Sequence, residues 1–307
     1  RNMITCVGSV FLDNIIKIDS FPQKPIKVLA KGLEKRLGGP AAVASCAVTR
    51  LGVESDFVGR FGDDEAANFL KSELNQFGVK YNKSLTISGA TSSQSHIFED
   101  SQGERLLAAY NDKKLLEDKS LPDLTFTTEQ SFLVDIRWIE AAHYVAQMSQ
   151  KNDIKCVADL DNYSNNNLIE GIVNAASHPV FSETGLFEFT KQKSVIDSLK
   201  QLYKKNNKFY AVTLGPEGVY WIDKGVIYHS IAPKIEAAET NGAGDVFHGA
   251  FATFLHNKKS IKDSIELATA TASLKCTKSG GIHSIPEYVD LLNFSRKVKT
   301  TVETEQK

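Results

Sequence analysis

The stretch Ala237–Leu255, "AAETNGAGDVFHGAFATFL", decides how the chain is read. Phe247, Phe251, Phe254 and Leu255 fall at i, i+4, i+7 and i+8, one apolar face of a helix that begins near Gly244. Gly242-Ala243-Gly244 therefore form a loop that opens this helix. Glycine is unfavourable in ordered backbone, so two of them here need a reason. At a helix mouth they let successive N–H groups turn toward one point, where the helix N-terminus adds partial positive charge. Such a mouth binds anions and suits a phosphoryl group in transfer. Asp245 lies in the first turn, where the same dipole favours its ionised form. It can take a proton from a hydroxyl that attacks the phosphorus. An ordinary glycine-rich turn with Asp245 as a helix cap is the alternative, and this stretch alone leaves both open.

Just upstream, "VTLGPEGVYWID" (212–223) is a strand leading to Thr213, Gly215 and Gly218. It suits close backbone and hydroxyl contacts to a nucleotide, or is a plain strand–turn–strand. The Walker pattern GxxxxGK[ST] is absent, and no GxGxxG follows the first strand, which weakens a nicotinamide-binding reading.

Away from these segments, short β-rich runs alternate with helix-period runs. Strands are expected at 4–8, 55–59, 132–136, 155–160, 179–182 and 209–215, and helices at Pro40–Leu51, Asp64–Gln76, Ile139–Gln150 and Ser194–Lys205. That rhythm predicts an α/β fold with a mainly parallel sheet covered on both faces and ligands beyond the carboxyl ends of its strands. Segments 14–39 and 90–111 break the rhythm with strand-like alternation around turns, "EDSQGER" reading as a hairpin turn. They are expected to form a small β lid on a single domain spanning 1–307. The end, "TTVETEQK" (300–307), is expected to fray.

Composition narrows the function classes. The 307 residues carry 36 Lys+Arg against 37 Asp+Glu, a net charge of −1 that gives no electrostatic case for nucleic acid. No apolar run approaches the roughly 20 residues that cross a bilayer. Cys6, Cys46, Cys156 and Cys276 are too scattered for a zinc or redox motif and read as buried thiols of a cytoplasmic protein. His96, His248 and His283 read as surface or core histidines. Asp159 and Asp161 alternate at a strand end, where they reach the site or cap.

Four segments in order, "GGPAAVASCAVTRLG" (38–52), "VGRFGDDEAANFLKSELNQFGV" (58–79), "VTLGPEGV" (212–219) and "ETNGAGDVFHGAF" (239–251), resemble the successive signatures of the ribokinase/PfkB sugar kinases. The resemblance implies a ribokinase-like, Rossmann-type three-layer core with a β lid, ATP and Mg2+ as cofactors, and a small sugar as partner. It makes Asp245 the catalytic base and Gly242, Ala243 and Gly244 the anion hole. It places Thr213, Gly215 and Gly218, with Lys275 and Gly280 of "KCTKSGG" (275–281), along the nucleotide, and Asp13, Gly38 and Gly39 on the sugar. Departures are Val43, where many members have a sugar-binding asparagine, and Glu239, where the usual aspartate opens the final motif. The magnesium-associated NxxE motif is replaced by Ser182-Glu183-Thr184-Gly185, in which Glu183 could act through water.

A closer resemblance, to the sulfofructose kinases within that family, lies in "SSQS" (92–95), "GER" (103–105), "DIRW" (135–138) and "FSETGL" (181–186). It implies 6-deoxy-6-sulfofructose as acceptor, phosphorylated at its C1 hydroxyl, with Lys27, Asn111 and Arg137 on the sulfonate. A guanidinium fork suits a tetrahedral oxyanion, and a phosphate ester presents similar oxygens. A ketose 6-phosphate, fructose and ketodeoxygluconate therefore stay open, as does a non-catalytic sugar or nucleotide sensor on the same fold. A homodimer through the lid is expected because an open sheet edge would otherwise be exposed.

Overall fold

The apolar run at the start of the chain forms β1 (Met3–Val7), buried throughout because it lies inside a sheet covered on both faces. The computed structural model describes residues 2–161 and 166–304. Parallel neighbours flank β1: β4 (Ser55–Val58) on one side and β9 (Gln130–Asp135) on the other. The parallel run continues through β10 (Cys156–Leu160), β11 (His178–Ser182) and β12 (Tyr210–Thr213). Antiparallel β13 (Val219–Asp223), β14 (Val226–Ile231) and β15 (Lys299–Thr304) complete a nine-stranded sheet. The expected fraying of the end is corrected by β15: residues 300–304 pair with β14, and the Thr300 hydroxyl bonds both Ser230 and Glu266. Residues 305–307 lie outside the described set.

Helices cover both faces of the sheet. One layer holds α1 (Pro40–Arg50), α2 (Glu65–Gln76), α8 (Ala243–His256), α9 (Ile261–Cys276) and α10 (Tyr288–Phe294). The other holds α4 (Ile139–Lys151), α5 (Leu168–Ala175), α6 (Glu183–Thr190) and α7 (Val195–Lys205). The apolar period of α8 predicted one buried face, yet every residue from Val246 to Leu255 is buried. The reason is close helix packing: a Cβ at Gly249 would stand 2.5 Å from the Ala44 carbonyl oxygen, so α8 meets the alanine-rich α1 backbone to backbone. This contact fixes where the N-terminus of α8 points.

Two peptide crossings make the lid. The chain leaves β1 through Gly8–Val10 into β2 (Phe11–Lys17), and β3 (Gly32–Gly38) returns directly into α1. Strands β7 (Gln94–Glu99) and β8 (Arg105–Tyr110) form the expected hairpin, and the sheet runs β3-β2-β7-β8. Asp100 seals the hairpin turn by accepting the Gln102 and Glu104 amides. The lid begins at Phe11, three residues before the expected boundary. A minor pair, β5 (Arg60–Gly62) with β6 (Leu85–Ile87), and the short α3 (Lys113–Leu116) lie beneath it. Asp135, at the carboxyl end of β9, ties the crossings down by accepting from the Ser9 amide and hydroxyl and from the Ala41 and Arg137 amides. All four cysteines are free and buried. Among the described residues no helix is long and apolar enough to cross a membrane.

Candidate active site

The mouth of α8 forms a wall between two cavities. Gly242 caps the helix in the left-handed region, with φ 76°. The Ala243 amide donates to the Thr240 carbonyl, while the amides of Gly242, Gly244 and Asp245 have no backbone acceptor among the described residues. Free N–H groups of a first helical turn are a ready anion site. Gly244 has an ordinary φ, and a Cβ there would meet no protein atom within 4 Å, so neither backbone nor packing demands glycine at that position. What a side chain would obstruct is the open space in front of the amides.

On one side is a cavity of about 520 Å³, under the lid, lined by Gly242 and Asp245 together with Asp13, Gly38, Gly39 and Val43. On the other is a cavity of about 620 Å³, lined by Ala243, Gly244, Thr213, Gly215 and Gly218 and floored by Phe247 of α8. Both volumes are of the size that holds a small ligand. Asp245 thus faces one cavity while the loop beside it faces both.

Carboxylates dominate the field at this wall. Removal from water, then the nearby Asp159 carboxylate, pushes Asp245 up to about 8, with His248 opposing. Asp159, fully buried at the end of β10, is itself raised well above the carboxylate range by burial and by Asp135 and Asp161. Its Oδ1 makes no hydrogen bond among the described residues and lies 3.5 Å from His248 Nε2, and the other ring nitrogen of His248 bonds the Gly244 carbonyl. A strongly raised carboxyl in a cleft marks a functional-site candidate.

A second network braces the loop from the lid side. Glu239 Oε2 pairs with Arg36 of β3 at 2.7 Å, and its Oε1 accepts the Gly281 amide at 3.1 Å and lies 3.5 Å from Lys275 Nζ. Lys275, buried at the end of α9, also donates to the Asn241 carbonyl directly before the glycine loop. Burial works against the charge on Glu239, but Arg36 and Lys275 outweigh it and hold this carboxyl below its usual range. Across the lid sheet, Asp13 is paired in register with Arg36 and is pushed by burial up to about 6. A Cβ on Gly38 would overlap the Asp13 carboxylate, so a bulkier residue there would displace it.

The profile of the pfkB family carbohydrate kinases matches residues 1–288. The chain belongs to that family. It is 24% identical to the ribokinase of Haemophilus influenzae over 96% of this chain and 98% of that one. It is 26% identical to fructokinase-1 of Zea mays over 97% and 98% of the two chains. The solved structure of a ribokinase-like protein of Agrobacterium tumefaciens superposes with a TM-score of 0.88 at 30% identity, covering 96% and 97%.

Within this carbohydrate kinase the expected site residues separate into groups. Asp245, Gly242, Asp13, Gly38, Gly39, Asn111 and Arg137 line the lid-side cavity. Thr213, Gly215 and Gly218, with Ala243 and Gly244, line the other. Lys275 was expected on the nucleotide, yet it lines the lid-side cavity, because α9 directs it to Glu239 and Asn241. Gly280 lines neither cavity; it opens the helical turn Gly281–Ser284. Lys27 is exposed in the connection beyond the last lid pair, Lys17–Gly32, and lines neither cavity. Glu183 is the exposed first residue of α6, also outside both linings. The sequence reading missed Arg36 and Arg60 altogether. It noted Glu239 only as a departure from the motif, because nothing local shows that it meets Arg36 and Lys275.

Proposed function

We propose that this ATP-dependent carbohydrate kinase transfers a phosphoryl group to the primary hydroxyl of an anionic ketose, with 6-deoxy-6-sulfofructose, phosphorylated at C1, as the acceptor. The observation that carries the transfer is the wall itself: one carboxylate and a set of unengaged amides stand between two separate cavities. The acceptor sits under the lid against Asp245, and ATP occupies the groove of Thr213, Gly215 and Gly218. Asp245 takes the hydroxyl proton, and the amides of Gly242, Gly244 and Asp245 stabilise charge on the migrating group. The lid excludes water from the acceptor. Among the described residues no three His, Cys, Asp or Glu side chains form a metal cage. The unbonded Asp159 oxygen and its acidic neighbours instead fit magnesium that arrives on the nucleotide with its own water shell. Magnesium held there would supply charge neutralisation for the phosphates. Glu183 would take part only through water.

Arginines lining the lid-side cavity favour an anionic acceptor over a neutral one, and Asn111 and Arg137 are the proposed contacts to its anionic group. Lys27 is left out of that pocket by its exposed position. Coupled ADP release over 6-deoxy-6-sulfofructose, fructose 6-phosphate, tagatose 6-phosphate, fructose and ketodeoxygluconate tests the reading. The largest kcat/KM is expected for sulfofructose. ADP release with none of them would favour a sensor, and a preference for fructose would sink the anionic acceptor.

The lid also supports a homodimer. All six residues of its edge strand β8 are exposed, including Leu106, Leu107 and Tyr110. An unpaired apolar edge of this kind favours association. Light scattering is expected to give twice the 33.8 kDa chain mass; a monomer at micromolar concentration would overturn the pairing.

A further inference from the structure

The four cationic side chains lining the lid-side cavity are not equivalent. Arg36 is held by Glu34 and Glu239, Lys275 is held by Glu239 and Asn241, and the Arg137 amide is anchored on Asp135. Arg60, the first residue of β5, is buried, and no carboxylate among the described residues pairs with it. Its Nη1 donates to the Leu115 and Leu116 carbonyls at 3.0 and 3.3 Å. The guanidinium also lies 4.8 Å from the centroid of the Trp138 ring. These contacts fix the plane of the group and spend only one of its nitrogens. Nε and Nη2, the side-on fork, meet no protein acceptor among the described residues.

A buried cation with no hydrogen-bonded anion is unfavourable: burial pulls Arg60 below the ordinary arginine range, and the more distant charges of Glu140, Asp118 and Asp135 only partly oppose it. Holding the end of α3 does not require that charge, since a neutral amide could donate to the same carbonyls. The surroundings instead suit a ligand. Trp138, Arg137, Leu115, Leu116 and Asn111 line the cavity with Arg60. Arg60 is held against α3 and the Trp138 ring, whereas Asp245 lines the same cavity from the mouth of α8.

The geometry points to Arg60 as the specificity-determining cation of the acceptor cavity, its Nε–Nη2 edge receiving two oxygens of a sulfonate or phosphate carried by the sugar opposite the phosphorylated hydroxyl. The inference rests on the anionic-acceptor reading above and deepens it. A planar fork held in place by packing loses little freedom on binding and matches such oxygens bidentately.

Isothermal titration without nucleotide tests it, using fructose, fructose 6-phosphate and 6-deoxy-6-sulfofructose against the parent, Arg60→Gln and Arg60→Lys. In Arg60→Gln the affinity for the preferred anionic ketose, relative to fructose, is expected to fall roughly 10- to 100-fold. Arg60→Lys, which keeps the charge without the fork, is expected to recover part of it. The phosphate and sulfonate arms show which anion the fork receives, and melting curves verify that both variants fold. An unchanged ratio in folded Arg60→Gln would reduce Arg60 to a support for α3 and leave the kinase reading standing, and an unchanged ratio in Arg60→Lys alone would overturn the fork. A parent that binds fructose as tightly as both anions would overturn the inference and the anionic acceptor together.

Discussion

Replacing Asp245 with asparagine is expected to lower kcat by roughly 10²- to 10⁴-fold while the fold persists, the usual contribution of a positioned general base. The side chain lines the acceptor cavity beside the free amides, and asparagine fills the same space without being able to take the proton. A second readout follows from electrostatics. The folded-state carboxyl titrates at about 8 against an ordinary value of 3.8, because burial and Asp159 oppose its charge. Between those values the native state binds more protons than the unfolded chain, so this group removes stability as pH rises through the window. Asp245→Asn abolishes that loss. The variant is expected to melt above the parent at about pH 8, with the difference shrinking toward about pH 4. For the same reason kcat/KM of the parent should climb with pH along the limb set by Asp245. Calorimetric melts and a pH–rate profile check both; near-parental turnover in the variant would remove Asp245 from the mechanism.

Glu239→Ala is expected to destabilise the protein by about 3–5 kcal/mol, the range for breaking a buried ion pair from one side. Its side chain is 8% exposed and faces Arg36, 13% exposed, and Lys275, 1% exposed, so the substitution strands Lys275 and leaves Arg36 with Glu34 alone. For a chain of this size that corresponds to a fall in Tm of roughly 10 °C. Catalysis should suffer as well, because the network joins the lid strand β3 to the segment leading into the glycine loop. Removing Arg36 in the same background, as Arg36→Met with Glu239→Ala, should restore part of the melting temperature. An unchanged Tm in the single variant would show that the three groups are independently hydrated rather than coupled.

The stable device behind both expectations is unequal in how far it could be read in advance. The strands β1, β4, β9, β10, β11 and β12 and the helices α1, α2, α4 and α7 fall within a few residues of their expected positions, since apolar period and turn chemistry are local properties. The lid was legible as a break in that period, though its first three residues were not, because Phe11 and Leu12 continue the apolar run of β1. The terminal strand was not legible: a polar, threonine-rich segment becomes ordered only because β14 offers an open edge.

By itself the sequence determined the glycine-opened helix and the carboxylate in its first turn, since loop, cap and apolar period all fall within one short segment. Only the tertiary structure decided the character of the site. Burial raises Asp245 most, and Asp159 and Asp135 add to it because parallel strands end at the same edge of the sheet. Lys275, expected along the nucleotide, is instead buried by packing against Glu239 and Asn241 at the end of α9. Arg60 reads as one charge in a short strand until α3 and Trp138 close around it. Burial and Coulomb fields depend on distance in space, and residues far apart along the chain acquire that proximity only when it folds.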